Sequence, residues 1–213
     1  MVRAVATSNL RERKKERTRA TITRVALDLF ARDGFAATTI PAIAEAAEVS
    51  PRTVSTYFPS KEGIVFDVYQ AAIDRFAQRL AVRAPGEQTF DVLRAWLHDE
   101  ESIQLGAEAA LVHHGASKDD DFPRLREAAI ASDEDLWGLQ RGYMRPMKRH
   151  VARGIAQDLG EEPDSLPAQI VAEAVVSTLL AVNAHAAREH VATTEAFETA
   201  LAFLREGLSA LET

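Results

Sequence analysis

The 213-residue chain contains no cysteine. That excludes disulfide staples, thiolate metal ligation and a cysteine nucleophile, and it fits a reducing compartment. The opening stretch MVRAVATSNL lacks the apolar core of a secretion signal. The most apolar run, Ala172 to Ala187, is interrupted by Ser177, Thr178, Asn183 and His185. It reads as too short and too polar to cross a bilayer, so a cytoplasmic protein without membrane contact is expected. No Gly-x-Ser-x-Gly, phosphate loop or glycine-rich dinucleotide fingerprint occurs, and catalysis is not expected. The histidines (His98, His113, His114, His150, His185, His190) include no His-x-x-x-His pair, and adjacent His113 and His114 point about 100° apart on a helix. Neither a metal nor a cofactor is expected. The loop-like run Asp119, Asp120 and Asp121 reads as a solvated surface.

Charge is present but unevenly placed. The formal net charge is −7, yet residues 1–60 hold 10 Lys/Arg against 6 acids, and the remaining 153 residues carry 15 basic and 26 acidic groups. A basic head on an acidic body suggests that the head alone meets a polyanion. Six of its positive charges fall in Arg11–Arg19, RERKKERTR, where they are placed to hold phosphates in a salt-dependent way. The following stretch is amphipathic at helical spacing through Ile22, Val25, Ala26, Leu29 and Phe30, and Asp33-Gly34 ends it.

The segment Thr38 to Lys61 then reads as two short helices joined by a tight turn. Thr39 caps the first, with Pro41 in its first turn, and Ile43, Ala44 and Ala47 make its apolar stripe. Ser50 caps the second, with Pro51 at its first position. Val54 and Phe58, four apart, can pack back on the first helix, leaving Arg52, Thr53, Ser55 and Thr56 on the opposite face; Pro59 stops the helix. A helix pair whose second member exposes small polar and basic groups matches a DNA-reading helix-turn-helix. A fourth helix, capped by Ser60, runs from Lys61 toward Pro85-Gly86 through Ile64, Val65, Val68, Ile73, Phe76 and Leu80.

The rest stays helical, with no strand-like alternation. One helix carries Phe90, Leu93, Trp96 and Leu97, and another runs from Ile103 to about His113. Phe122 to about Leu159 reads as one long helix or two shorter ones, kinked or broken at Pro146. Two terminal helices follow. The last carries Phe197, Leu201, Leu204, Leu208 and Leu211, a heptad seam suited to helix–helix packing.

With these residues in hand, the chain resembles the tetracycline-repressor (TetR) family of bacterial transcriptional regulators. The signature is ALDLFARDGFAATTI followed by IAEAAEVSPRTVSTYFPSKE, within about residues 16–76. The resemblance implies an all-α fold of about nine helices. Residues 16–76 would form a helix-turn-helix domain, with its motif at about 39–58, and 77–213 a helical ligand-binding and dimerisation domain. It also implies a homodimer on a double-stranded DNA operator, with recognition helices in successive major grooves about 34–36 Å apart, and a small-molecule effector. By position, Thr39 would contact the DNA backbone, Pro51, Arg52 and Thr53 would approach base edges, and Tyr57 and Lys61 would hold phosphates. Ser50, Ser55 and Thr56 complete the DNA-facing set. Arg52 can bond a guanine bidentately, and Thr53 offers a methyl to thymine or a hydroxyl. The dimer interface would draw on Val175, Leu179 and Val182 and on Phe197, Leu201, Leu204 and Leu208. Two departures stand out. Relatives often have Gly at the turn position of Glu48, and a left-handed Glu would cost about 1–2 kcal/mol, so another backbone path is expected there. Relatives also often have aromatic residues where Ser55 and Thr56 stand.

In the body, Trp96, Phe122, Trp137, Tyr143, Met144 and Met147 are the candidates for an apolar ligand pocket. Arg141, Arg145, Arg149 and Arg153, with Lys148, recur on one helix face; such a stripe is either solvated or a site for an anion or an acidic partner surface. The reading that competes with DNA regulation is a helical ligand-binding or interaction protein whose head does not read DNA.

Overall fold

The computed structural model describes residues 2–100, 122–189 and 193–209, with side chains described at 14–100, 122–189 and 194–207. Every regular element among the described residues is a helix: α1 (Val2–Asp33), α2 (Ile40–Ala46), α3 (Pro51–Tyr57), α4 (Lys61–Ala81), α5 (residues 89–100), α6 (Phe122–Ala131), α7 (Glu134–Tyr143), α8 (Arg145–Leu159), α9 (Leu166–Glu189) and α10 (Thr193–Ser209). The expected helix at Ile103–His113 and the Asp119–Asp121 run lie outside the described residues.

The helices group into two compact units. The first holds the described residues up to Asp67 together with 122–138, and the second holds 68–100 and those from Leu139 onward. A single cut after residue 76 therefore does not describe the grouping. The cause is α6, which packs on α1, and its buried Arg126, whose Nε donates to the Val65 carbonyl at 2.8 Å. α4 is one continuous helix, with residues 61–67 in the first unit and the remainder in the second.

In the first unit, Ile22, Ala26, Leu27 and Phe30 of α1 are fully buried, along with Ile43, Val54 and Val65. Leu29, expected in this core, is only half-buried, and Leu27 takes its place because α1 is covered by α6 as well as by α2. The stretch 122–159 is three helices. Asp133 makes the unexpected break: its Oδ1 accepts from the Asp135 and Leu136 amides at 3.0 and 3.1 Å, capping α7. Met144 makes the second, and Pro146 sits in the first turn of α8, where its missing N–H is not needed.

The core of the second unit runs from Ile73 and Phe76 through Leu93, Trp96, Met147 and Ile155 to Val175, Leu179, Phe197 and Leu201. Its α5–α8 contact is so close that a Cβ on Gly154 would lie 2.5 Å from Thr89 Oγ1. Beside it, Asp158 accepts from Arg83 Nη1 at 2.6 Å and from the Thr89 amide at 2.7 Å, so a buried carboxylate caps α5 from another helix. α9 is longer than the apolar run within it, and by length and composition alone its 24 residues could cross a membrane. Here its Val171, Val175, Val176 and Leu179 are buried in the core of this unit.

Candidate nucleic-acid interface

The site begins with local chemistry. Thr39 has an extended backbone, and its hydroxyl accepts from the Ala42 amide at 3.3 Å, which starts α2. α2 ends in a paired carbonyl cap: the Val49 amide donates to Ala44 O at 2.9 Å and the Glu48 amide to Glu45 O at 3.1 Å. Glu48 itself has φ +55°, the only positive φ at a non-glycine among the described residues. The turn thus keeps the left-handed path that Gly would favour, and the expectation of another path is overturned. The two cap bonds offset the strain of about 1–2 kcal/mol. Ser50 Oγ accepts from the Thr53 amide at 3.0 Å and shares a hydrogen bond of 2.7 Å with Thr53 Oγ1.

α3 therefore starts with a fixed roll. Val54 is fully buried, Phe58 just beyond the helix is buried as well, and Pro51, Arg52, Ser55 and Thr56 are exposed on the other side. Thr53 and Tyr57 are half-buried. Thr53's hydroxyl is engaged with Ser50, which leaves its methyl the freer group, and Thr56 Oγ1 donates back to the Arg52 carbonyl at 2.8 Å.

Two cations expected to meet phosphate have internal duties. Arg19, the last residue of the basic run, donates Nη1 to the Tyr57 carbonyl at 3.1 Å, pairs with Asp67 and lies 4.3 Å from the centre of the Phe58 ring. It ties α1 to the end of α3 and to α4, and burial pushes its guanidinium pKa down. Lys61 donates Nζ to Phe35 O at 2.5 Å and Thr38 O at 2.9 Å, over the Phe35 ring. Two of its three ammonium donors are directed into the turn before α2, and the third is what a phosphate would have to use. Lys14, Lys15 and Arg17 are exposed; Arg11 and Arg13 have side chains outside the described residues. Sequence reading missed Arg19's inward role because nothing local distinguishes it from its neighbours. Asp133 was missed both as the cap of α7 and as the partner of the Phe35 amide, since the helical pattern runs past it and its second partner lies far up the chain.

Comparison with known proteins bears on this geometry. The family described as "Bacterial regulatory proteins, tetR family" matches residues 22–68, and the one described as "MftR C-terminal domain" matches 116–209. The chain belongs to the TetR family. Its TetR-like head is 42% identical over 84 residues to the HTH-type transcriptional regulator TcmR of Streptomyces glaucescens, an alignment spanning 39% of this chain and only 37% of that relative. The TetR fold extends further. SmeT, the repressor of the Stenotrophomonas maltophilia multidrug efflux pump SmeDEF, shares 21% identity over 89% of both chains with a TM-score of 0.55. The SmeT complex with triclosan gives 0.53 at 20% identity, over 89% of this chain and 90% of that one.

The TetR body corrects two expectations. Of the six pocket candidates, Phe122 and Trp137 belong to the first unit and the other four to the second, and Trp137 is 54% exposed. Trp96 is a core residue, its indole N–H bonded to Ala72 O at 3.0 Å and its ring edge-on to Phe76. Met147 is fully buried core, and Tyr143 is half-buried. Met144 alone of the six lines a groove of about 210 Å³ in the second unit, with Arg141, Arg145 and Lys148 facing Glu173, Val176 and Leu180. Lys148 bonds Glu173 at 2.8 Å and holds that carboxyl below its usual range. The residues assigned to the dimer interface are also otherwise engaged. Val175, Leu179, Phe197 and Leu201 are buried inside the chain's own core, and Val182 and Leu204 are packed against it; Leu208's side chain lies outside the described residues. The heptad seam joins α10 to α9 of the same chain because both helices are there to pair within one unit.

Proposed function

We propose that the protein is a homodimeric, DNA-binding transcriptional regulator, a repressor released from a palindromic operator by a small-molecule effector. The observation that carries this reading is the presentation of α3. Its apolar side is buried through Val54, its start is fixed by the Ser50 cap, and Arg52, Ser55 and Thr56 stand exposed opposite. A guanidinium so placed can take a guanine edge, while Thr39 and Tyr57 supply backbone contacts that set register. Two copies would place α3 in successive major grooves about 34–36 Å apart.

An effector acts by binding one form of the dimer better than the other, shifting the population away from the spacing that fits DNA. The groove lined by Arg141, Met144, Arg145, Val176 and Leu180, beside the Lys148–Glu173 pair, sets two further cations next to apolar side chains, which favours a ligand with an anionic group on an apolar body. SmeT in complex with triclosan is a precedent for a small molecule on this fold, for that protein.

Selection of bound sequences from random duplex DNA, followed by mobility-shift titration of the purified protein at low salt, tests the reading. A two-fold symmetric site bound far more tightly than random DNA is expected. Equal affinity for both would move the protein to the competing class, a helical ligand-binding protein whose head does not read DNA.

A further inference from the structure

We propose that Asp133 is a positioning residue for DNA reading, fixing from the start of α7 the turn on which the helix-turn-helix is hung. The inference rests on the DNA-reading function above and adds to it a residue that positions the same site.

The turn is Gly34–Thr38, between α1 and the Thr39 cap of α2. Gly34, at φ +88°, turns the chain sharply. Its carbonyl receives both the Thr38 amide at 3.2 Å and Thr38 Oγ1 at 2.8 Å. The carbonyls of Phe35 and Thr38 receive Lys61 Nζ, and the buried Phe35 ring sits edge-on to Phe30 at 5.0 Å. All of these ties come from the chain up to Lys61. One does not: the Phe35 amide donates to Asp133 Oδ2 at 2.8 Å, across 98 residues of sequence. The two oxygens of this carboxylate divide their work, since Oδ1 caps α7 while Oδ2 holds the turn. Being charge-assisted, the second bond is strong and directional.

A second tie runs parallel to it. The Arg126 side chain, 8% exposed, reaches from α6 to the Val65 carbonyl at 2.8 Å. Segment 122–138 thus grips the reading head at the turn before α2 and at the first turns of α4, all within the first unit. Thr39, the cap of α2 and a DNA-backbone candidate, is four residues beyond Phe35. A displacement of the α6–α7 corner is therefore felt at the turn before α2 through Phe35, as well as at α4 through Arg126. Sub-ångström errors in a recognition helix weaken base contacts, whereas the diffuse attraction of cations for phosphates tolerates them.

Asp133→Ser separates the two duties. Serine is about as good a helix cap as aspartate, so α7 keeps its start, but its single oxygen cannot also reach Phe35. On the duplex selected by the wild-type protein, affinity should fall by about tenfold, the size of one lost base contact, while binding to random DNA stays the same. Amide hydrogen exchange on the full chain should quicken at residues 35–57 and not in α8 or α9. Unchanged specific affinity, equal loss on both DNAs, or uniform quickening across all helices would overturn the proposal. Should the wild-type protein select no DNA, the DNA-reading function fails separately. Exchange then still decides, with selective quickening at 35–57 supporting a positioning role and unchanged rates there refuting it.

Discussion

Glu48 occupies a left-handed backbone position without the freedom of glycine, and its two cap bonds are what keep it there. Glu48→Gly should therefore stabilise the chain by about 0.5–1 kcal/mol, the strain relieved less the entropy that glycine brings to the unfolded state. A rise in the urea midpoint at constant slope checks it, and a fall would show that the glutamate side chain makes up for its backbone. Arg52 is the complementary case, an exposed side chain whose worth lies outside the folded chain. Arg52→Ala should weaken binding to the selected site by about 1–3 kcal/mol in competition titrations and hardly change binding to random DNA. Equal losses would make Arg52 a phosphate contact. Caps at Thr39, Ser50 and Ser60 were readable in the sequence, because a cap is chosen by side chains within three residues of it. The internal bonds of Arg19 and Lys61 were not readable, because what a long cation reaches depends on carbonyls that only folding brings near.

At the scale of elements, helical periodicity located most helices but not which of their faces would be covered twice. α1 shows this in the exchange of Leu29 for Leu27, and α6–α7 in the break at Asp133. The α5–α8 crossing depends on a single missing side chain. Gly154→Ala would force a methyl against Thr89, which is fully buried and hydrogen-bonded to Arg83, and should destabilise by about 1–3 kcal/mol. Adding Thr89→Ala should recover part of that loss, since it removes the two nearest atoms the methyl meets and leaves Leu80 Cδ1 at 3.3 Å. Thermal unfolding of the two single variants and the double variant gives the coupling, and strict additivity would mean that the helices simply move apart. The heptad seam of α10 was correctly seen as helix-packing surface, but periodicity carries no information on whether the facing helix belongs to the same chain.

For the whole molecule, the opposed charges of head and body assign the polyanion partner to the head, which agrees with where the tetR-family match lies. The dimer is a separate matter. Phe197 is 3% exposed within one chain, so Phe197→Ala should cost about 3–5 kcal/mol of folding stability at any protein concentration. Denaturation at two concentrations, with light scattering of the native protein, tests this. A variant of unchanged stability that merely dissociates would return Phe197 to the subunit interface. With Phe197 internal, the proposed homodimer would form on faces the chain leaves open, where Leu166, Ile170 and Phe203 are exposed.

By itself the sequence determined the helical class, the helix-turn-helix with its caps, the uneven charge and the TetR resemblance. Each of these depends on neighbours within a turn or two of helix, or on composition. Only the tertiary structure decided that segment 122–138 packs with the head, that Asp133 holds the Phe35 amide, that Arg19 turns inward, and that the Phe197–Leu201 seam is internal. Those outcomes join groups tens of residues apart. Their energies come from burial and from satisfying particular backbone donors and acceptors, neither of which a local pattern specifies.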